Sequence, residues 1–93
     1  MATNTSNISA TTLTEDGSVY ASRARVKGIH VTTTTAGSVV LKDGGSSGVT
    51  RLNVAIGANF SGNIIIPDDG ILFDTNVYLD LTNATSVTVF YQA

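Results

Sequence analysis

The sequence predicts an all-β protein: a single antiparallel β-sandwich or jelly-roll-like domain over residues 18 to 93, preceded by an extended N-terminal arm over residues 1 to 17. Three observations carry this prediction. Apolar and polar residues alternate in about seven or eight runs of roughly four to eight residues, turn-forming residues recur about every 8 to 12 positions, and no stretch shows a helical period. A closed barrel satisfies the same pattern.

The arm is Thr, Ser, Asn and Ala, with the lone apolar residues Ile8 and Leu13 and the pair Glu15-Asp16 before Gly17. Alone, a segment of this composition is disordered, so an ordered arm needs something to hold it. Either it folds back along its own sheet or it lies on a neighbouring chain, the second being the favoured expectation. From Ser18 the pattern becomes strand-like. Arg23, Arg25 and Lys27 alternate with Ala24 and Val26 until Gly28 shifts the phase and Ile29 and Val31 take over the apolar positions, which predicts a β-bulge at Gly28. The threonines Thr32 to Thr35, then Ala36-Gly37, end that strand and lead to Ser38-Val39-Val40-Leu41-Lys42. The glycine-rich Asp43-Gly44-Gly45-Ser46-Ser47-Gly48 connects it to Val49-Thr50-Arg51-Leu52-Asn53-Val54, a hairpin.

Residues 55 to 62 suit a surface crossing with Phe60 tucked beneath it. Next come two apolar triplets, Ile64-Ile65-Ile66 and Ile71-Leu72-Phe73, around Pro67-Asp68-Asp69-Gly70. Proline, aspartate and glycine supply the backbone angles of a tight turn, so the triplets are expected to pair with each other as an antiparallel hairpin. Ile64, Ile66, Ile71 and Phe73 would then share the core face with Val77, Leu79, Val87 and Val89. Ile65 and Leu72 would face outward beside Phe90, as an apolar surface that needs a cover. A short turn is expected at Asn83-Ala84, between Val77–Leu81 and Thr85–Tyr91.

With 93 residues, 42% of them hydrophobic, the chain supports one domain with a modest core. Only 13% are charged, about half the usual fraction, so the surface is neutral and adhesive. The lack of cysteine excludes disulfides and thiolate metal sites and permits folding inside the cell. Five basic residues against seven acidic ones give a net charge of -2, which provides no field for nucleic acid. The N-terminal residues lack the basic and apolar regions of a signal peptide, and no apolar run reaches the roughly 20 residues of a membrane-spanning helix. Synthesis in the cytoplasm, no nucleic-acid partner and no membrane are therefore expected. Asn-X-Ser/Thr triplets at Asn4, Asn7, Asn59 and Asn83 are coincidences of a chain rich in those residues.

Catalytic chemistry finds little material. His30 is the sole histidine, so a triad or zinc site lacks its partners, and a strand-surface position is expected for it. Of the carboxylates, Glu15, Asp16, Asp43, Asp68, Asp69 and Asp74 lie in the arm or beside turns, where aspartate serves backbone hydrogen bonds. Only Asp80 lies within a strand. Asp68 and Asp69 could hold a calcium ion, but such sites usually take six or more oxygen ligands, and a turn role is the expectation for both. Gly44-Gly45 and Gly48 lack the lysine and helix of a phosphate loop. No enzyme activity, cofactor or metal is expected. Arg23, Arg25 and Lys27 form a basic stripe suited to electrostatic contact with an acidic surface, or to blunting a sheet edge.

Taken together, Arg25-Val26-Lys27-Gly28-Ile29-His30-Val31, Gly37-Ser38-Val39-Val40-Leu41-Lys42-Asp43-Gly44-Gly45, Pro67-Asp68-Asp69-Gly70-Ile71-Leu72-Phe73 and Ser86-Val87-Thr88-Val89-Phe90-Tyr91 resemble small virion proteins of tailed bacteriophages. The resemblance spans about residues 18 to 92. It implies a non-enzymatic structural protein made in the host cytoplasm and built into the virion, as a capsid decoration or cement subunit. The implied partners are further copies of the chain, as a homotrimer or homodimer, and the major capsid protein or another virion protein. The residues expected at such interfaces are Ile8, Leu13, Ile65, Leu72 and Phe90. Other readings are a head-to-tail connector or tail component, and a carbohydrate-binding or receptor-binding module. The last would have only Tyr20, Tyr78 and Tyr91 for a sugar platform, and no tryptophan.

Overall fold

The computed structural model describes residues 8–67 and 69–93. Seven strands account for most of them: β1 (Ser9–Leu13), β2 (Gly17–Tyr20), β3 (Ala24–Asp43), β4 (Val49–Ile56), β5 (Ser61–Ile65), β6 (Ile71–Phe73) and β7 (Val77–Gln92). The all-β antiparallel architecture is the one the alternation predicts. The strands are hydrogen-bonded into one sheet in the order β1-β7-β3-β4, with β2 also on β7 and β5 and β6 also on β3. The expected sandwich of separate sheets is thus replaced by one continuous sheet.

The lengths of β3 and β7 force the sheet to fold over. Twenty extended residues would span about 66 Å, whereas the longest dimension of the molecule is 44 Å. Val77 and Tyr91 would lie about 46 Å apart along a straight strand. Yet Tyr20, which is paired with Val77, holds its ring centroid 5.0 Å from that of Tyr91. The bend falls where the β3–β7 register breaks, between the pairs Thr33–Ala84 and Ser38–Thr82. There residues 34–37 face Asn83 alone on β7, an irregularity larger than a single-residue bulge that concentrates curvature. Asn83 takes a left-handed conformation, φ 59°, and its Nδ2 donates to the Ala36 carbonyl at 3.1 Å. A Cβ on Gly37 would collide with the Thr82 carbonyl oxygen, so only glycine fits inside the bend. The expected strand ends at Thr32–Thr35 and the expected turn at Asn83-Ala84 are thus corrected. Both are bends within continuous strands, because each partner strand bends with them.

A second correction concerns the central turn. Ile64-Ile65-Ile66 and Ile71-Leu72-Phe73 do not pair with each other. β5 and β6 lie end to end along β3, Ile64 opposite Ile29, Ile65 opposite Gly28, Ile71 opposite Val26 and Phe73 opposite Ala24. Between them the chain leaves the ladder opposite Lys27, whose carbonyl accepts the Ile66 N–H at 3.2 Å. The Gly70 N–H returns to the Pro67 carbonyl at 3.1 Å, so the turn swings the chain out and back without reversing it. Gly70, at φ 82°, comes back so close to β3 that a Cβ would strike the Val26 carbonyl. The bulge predicted at Gly28 is present. Val26 pairs with Tyr91 and Gly28 with Phe90, which leaves Lys27 as the extra residue.

The β3–β4 hairpin forms as expected, from Gly37 opposite Ile56 to Asp43 opposite Val49. The crossing after it is fastened by Thr33, which is 3% exposed. Its Oγ1 donates to the Gly57 carbonyl at 2.7 Å and accepts the Phe60 N–H at 3.1 Å, while its own N–H donates to the Phe60 carbonyl at 2.8 Å. The arm is corrected as well: Ser9–Leu13 pairs with β7 of its own chain, from Ser9 opposite Tyr91 to Leu13 opposite Val87. Residues 1–7 lie outside the described residues.

The inner faces of the two halves form one core. Phe73, Ile29, Leu41, Leu79, Val26, Val31, Val39, Val77, Val87 and Val89 are fully buried. Ile64 and Ile71 are half-buried against them and Ile66 is buried, as the division of the triplets requires.

Asp43 closes the open end. It is the last residue of β3 and is 8% exposed. Its Oδ2 accepts the Asp74 N–H at 2.9 Å and its Oδ1 accepts those of Thr75 at 2.9 Å and Asn76 at 3.4 Å. Arg51 Nη2 donates to Oδ2 at 3.3 Å. In return, Asn76 Oδ1 accepts the N–H groups of Gly44 and Gly45, both at 3.0 Å. Residues 74–76 follow Phe73, which is paired with the first residue of β3, so this clasp joins the two ends of one strand. The Thr75 N–H first, then those of Asp74 and Asn76 and the Arg51 guanidinium, hold the carboxyl below its ordinary value of 3.8 against the opposing effect of burial. A group lowered in the folded state adds stability above its unfolded pKa and loses it as pH falls through the folded value. Stability measured by denaturant titration is therefore expected to fall with acidification from about pH 4 downward. Asp43→Asn should be less stable at neutral pH and show a flatter acid limb.

Candidate interaction face

Strand pairing sets the side chains of opposite residues on one face, so the register defines the outer surface of each half. On the first half, three rows run across the sheet. Leu72, Arg25 and Gln92 form one; Ile65, Gly28, Phe90 and Ala10 form the next; Asn63, His30, Thr88 and Thr12 form the third. Ile65 is 83% exposed, and Phe90 and Leu72 are half-buried. Ile8, 41% exposed, immediately precedes β1 at the same end. The fold thus gathers four of the five expected interface residues, Ile8, Ile65, Leu72 and Phe90. Leu13 lies in the row of Val87 and Val31 on the inner face and packs against the core.

Gly28 shapes the apolar row. It is buried between its neighbours, and a Cβ there would press on the Ile64 carbonyl oxygen at 3.1 Å, which keeps the middle of the row at backbone level. Beside it the third row is polar and self-satisfied. His30 Nδ1 donates to Asn63 Oδ1 at 2.7 Å, and the Thr12 and Thr88 hydroxyls lie 2.7 Å apart. This is the strand-surface position expected for His30.

The basic stripe is divided by the bulge. Arg25 lies on the outer face next to Leu72. Lys27 occupies the bulge, and Arg23 precedes β3, 3.8 Å from Asp74, with both side chains about two-thirds exposed, 67% and 64%. Such an open pair contributes little. Arg23, Arg25, Leu72 and Gln92 line a pocket of about 280 Å³ together with Ala24 and Ala93. No carboxylate is paired into the three outer rows. The face has one apolar row between a polar row and a row that carries Arg25.

The outer face of the second half has a different character. Its rows hold Ser38, Thr82 and Ala55, then Val40, Asp80 and Asn53, then Lys42, Tyr78 and Thr50. Lys42 Nζ reaches Asp80 Oδ2 at 3.3 Å. Of the three tyrosines, Tyr78 is on this surface. Tyr91 is buried, and Tyr20 tilts against it at 37° on the inner side.

Asp16 Oδ1 accepts the Leu81 N–H at 2.8 Å, so it serves the backbone, as Asp43 does. The burial and multiple backbone bonds of Asp43 were not legible in the sequence, where it reads as an ordinary turn aspartate. Among the described residues no three His, Cys, Asp or Glu side chains gather as a metal site. The aspartate pair weighed for calcium includes Asp68, which lies outside the described residues. Comparison with protein-family models, with characterised proteins and with solved structures returns no match for this chain.

The face contributes little to the fold that carries it. Ile65→Asp is expected to change unfolding stability by no more than about 0.5 kcal/mol, as for other surface substitutions. Leu41→Ala in the core should cost about 2–5 kcal/mol. Denaturant unfolding of the two variants measures the contrast.

Proposed function

We propose that this protein is a non-enzymatic structural subunit that acts by adhesion, and that it decorates or cements a tailed-phage capsid, associating with further copies of itself. The observation that carries this reading is the apolar row Ile65–Gly28–Phe90, with Ile65 83% exposed, on the outside of a sheet whose other side is already filled by core. A solvent-facing row of this kind is stabilised when a partner removes it from water, at about 1.5–3 kcal/mol for a large side chain fully covered. The low charged fraction of the chain and the resemblance of residues 18 to 92 to small virion proteins support the same reading. Arg25 at the margin favours a lattice surface that presents carboxylates. The neutral outer face of the second half suits exposure on the finished particle.

The test is cosedimentation of the purified chain with capsids of the phage that encodes it. Ile65→Asp should weaken binding about 10- to 100-fold, the equivalent of the lost burial. Arg25→Ala should weaken it less and reduce its salt dependence. Undiminished binding by Ile65→Asp would remove this face from the account.

A further inference from the structure

The outer face of the first half ends in a concavity where two of the three stripe cations meet. Arg23 and Arg25 are two positions apart on one extended segment, so their side chains leave the same face with roots about 7 Å apart. Ala24 between them is 2% exposed and turns inward. Lys27 does not join them, because its Cδ lies 3.3 Å from where a Cβ on Gly70 would stand and the side chain follows the turn after Pro67. Leu72 and Gln92 flank Arg25 in its row, and with Ala93 they complete a pocket of about 280 Å³. That is below the roughly 300–1,000 Å³ of pockets for drug-sized ligands, and it suits one side chain.

The charge in this pocket is only partly matched. Among the described residues, the one carboxylate within ion-pair reach of either guanidinium is that of Asp74, 3.8 Å from Arg23 Nε. The contact falls on Nε and leaves the Nη groups of Arg23 to other acceptors. Arg25 is half-buried and has no carboxylate partner among the described residues. Two guanidiniums beside one carboxylate leave a single positive charge. A phosphate monoester, which carries nearly two negative charges, would overshoot it and meet Asp74 besides. A single carboxylate balances it, and two coplanar oxygens match the paired donors of a guanidinium fork. The Gln92 amide adds a neutral donor, while Leu72 and, one row on, Ile65 offer apolar surface beside the charge.

We propose that the Arg23–Arg25 pocket receives one acidic side chain of a partner protein, carried next to an apolar residue that settles on Leu72 and Ile65. The proposal rests on the adhesive reading above and gives it a specific contact. Burial of the apolar row supplies adhesion, and the pocket fixes where on the partner the row can lie.

The test needs no capsid. Amide NMR signals of the unsubstituted chain are followed during titration with the capped peptide acetyl-Leu-Glu-Leu-amide, with its glutamine counterpart and with inorganic phosphate. The glutamate peptide should shift the signals of residues 23–25, 72 and 92 with a Kd of about a millimolar, the affinity of a few good contacts. The glutamine peptide should bind about tenfold more weakly, and Arg25→Gln should lose a similar factor for the glutamate peptide. Arg25→Lys, which keeps the charge without the fork, should restore only part of it. Equal binding of the two peptides, no response at these residues, or phosphate binding more tightly than the glutamate peptide would overturn the proposal. Cosedimentation then separates it from the wider reading. Capsid binding that is lost in Ile65→Asp but unchanged when Arg23→Gln and Arg25→Gln are combined would remove the pocket from the interface. Peptide binding by a chain that fails to cosediment would keep the pocket and remove the capsid as its partner.

Discussion

The structure depends on a carboxylate closing a loop of sheet. β3 and β7 are each too long to lie straight in a molecule of this size, so both bend at one place, and the free ends must then be held together. Asp43 does this with backbone N–H groups from residues 74–76, which hang from the strand paired with the opposite end of β3. Charge-assisted bonds to several N–H groups are strong because they satisfy buried donors and a buried charge together. The alternative is an unpaired carboxylate and orphaned amides in the same small volume, which is costly. With the ends fixed, the inner faces of both halves meet and a chain of modest length acquires a continuous core.

That closure also accounts for the candidate site. A sheet doubled on itself has one face committed to the core and one left outside. On the second half the outer face mixes Ser, Thr, Asn and a Lys42–Asp80 pair with Val40, Ala55 and Tyr78. On the first half the outer row holds Ile65 and Phe90, and the bulge at Lys27 brings Gly28 between them. The Lys27 carbonyl at that bulge accepts the Ile66 N–H, so the break between β5 and β6 sits opposite the extra residue of β3.

Much of this was legible in the sequence. Alternation identified the strands, the phase change at Gly28 identified the bulge, and the glycine-rich residues 43–48 identified the β3–β4 hairpin. The assignment of Ile66 and Phe73 to the core and Ile65 to the outside also follows from alternation, which does not depend on the partner strand. What local sequence could not settle was the identity of that partner. Asn83-Ala84, Ala36-Gly37 and Pro67–Gly70 are turn chemistry, and a chain uses the same residues to reverse, to bend with its neighbour or to step around a bulge. The choice is made by β3, which offers Ile64 and Phe73 a longer partner than they could offer each other. Asp43 was obscured for a similar reason: its backbone partners are more than thirty positions away.

The folding-over of one sheet is the central claim, and the rings of Tyr20 and Tyr91 report it most directly. They lie 5.0 Å apart by centroid, although their strand positions would be far apart in an extended sheet. Nuclear Overhauser spectroscopy of the free chain should show cross-peaks between the two rings, together with continuous β3–β7 cross-strand contacts on both sides of Asn83. Continuous strand contacts without any Tyr20–Tyr91 cross-peak would mean an open sheet, and would contradict both the clasp and the face derived from it.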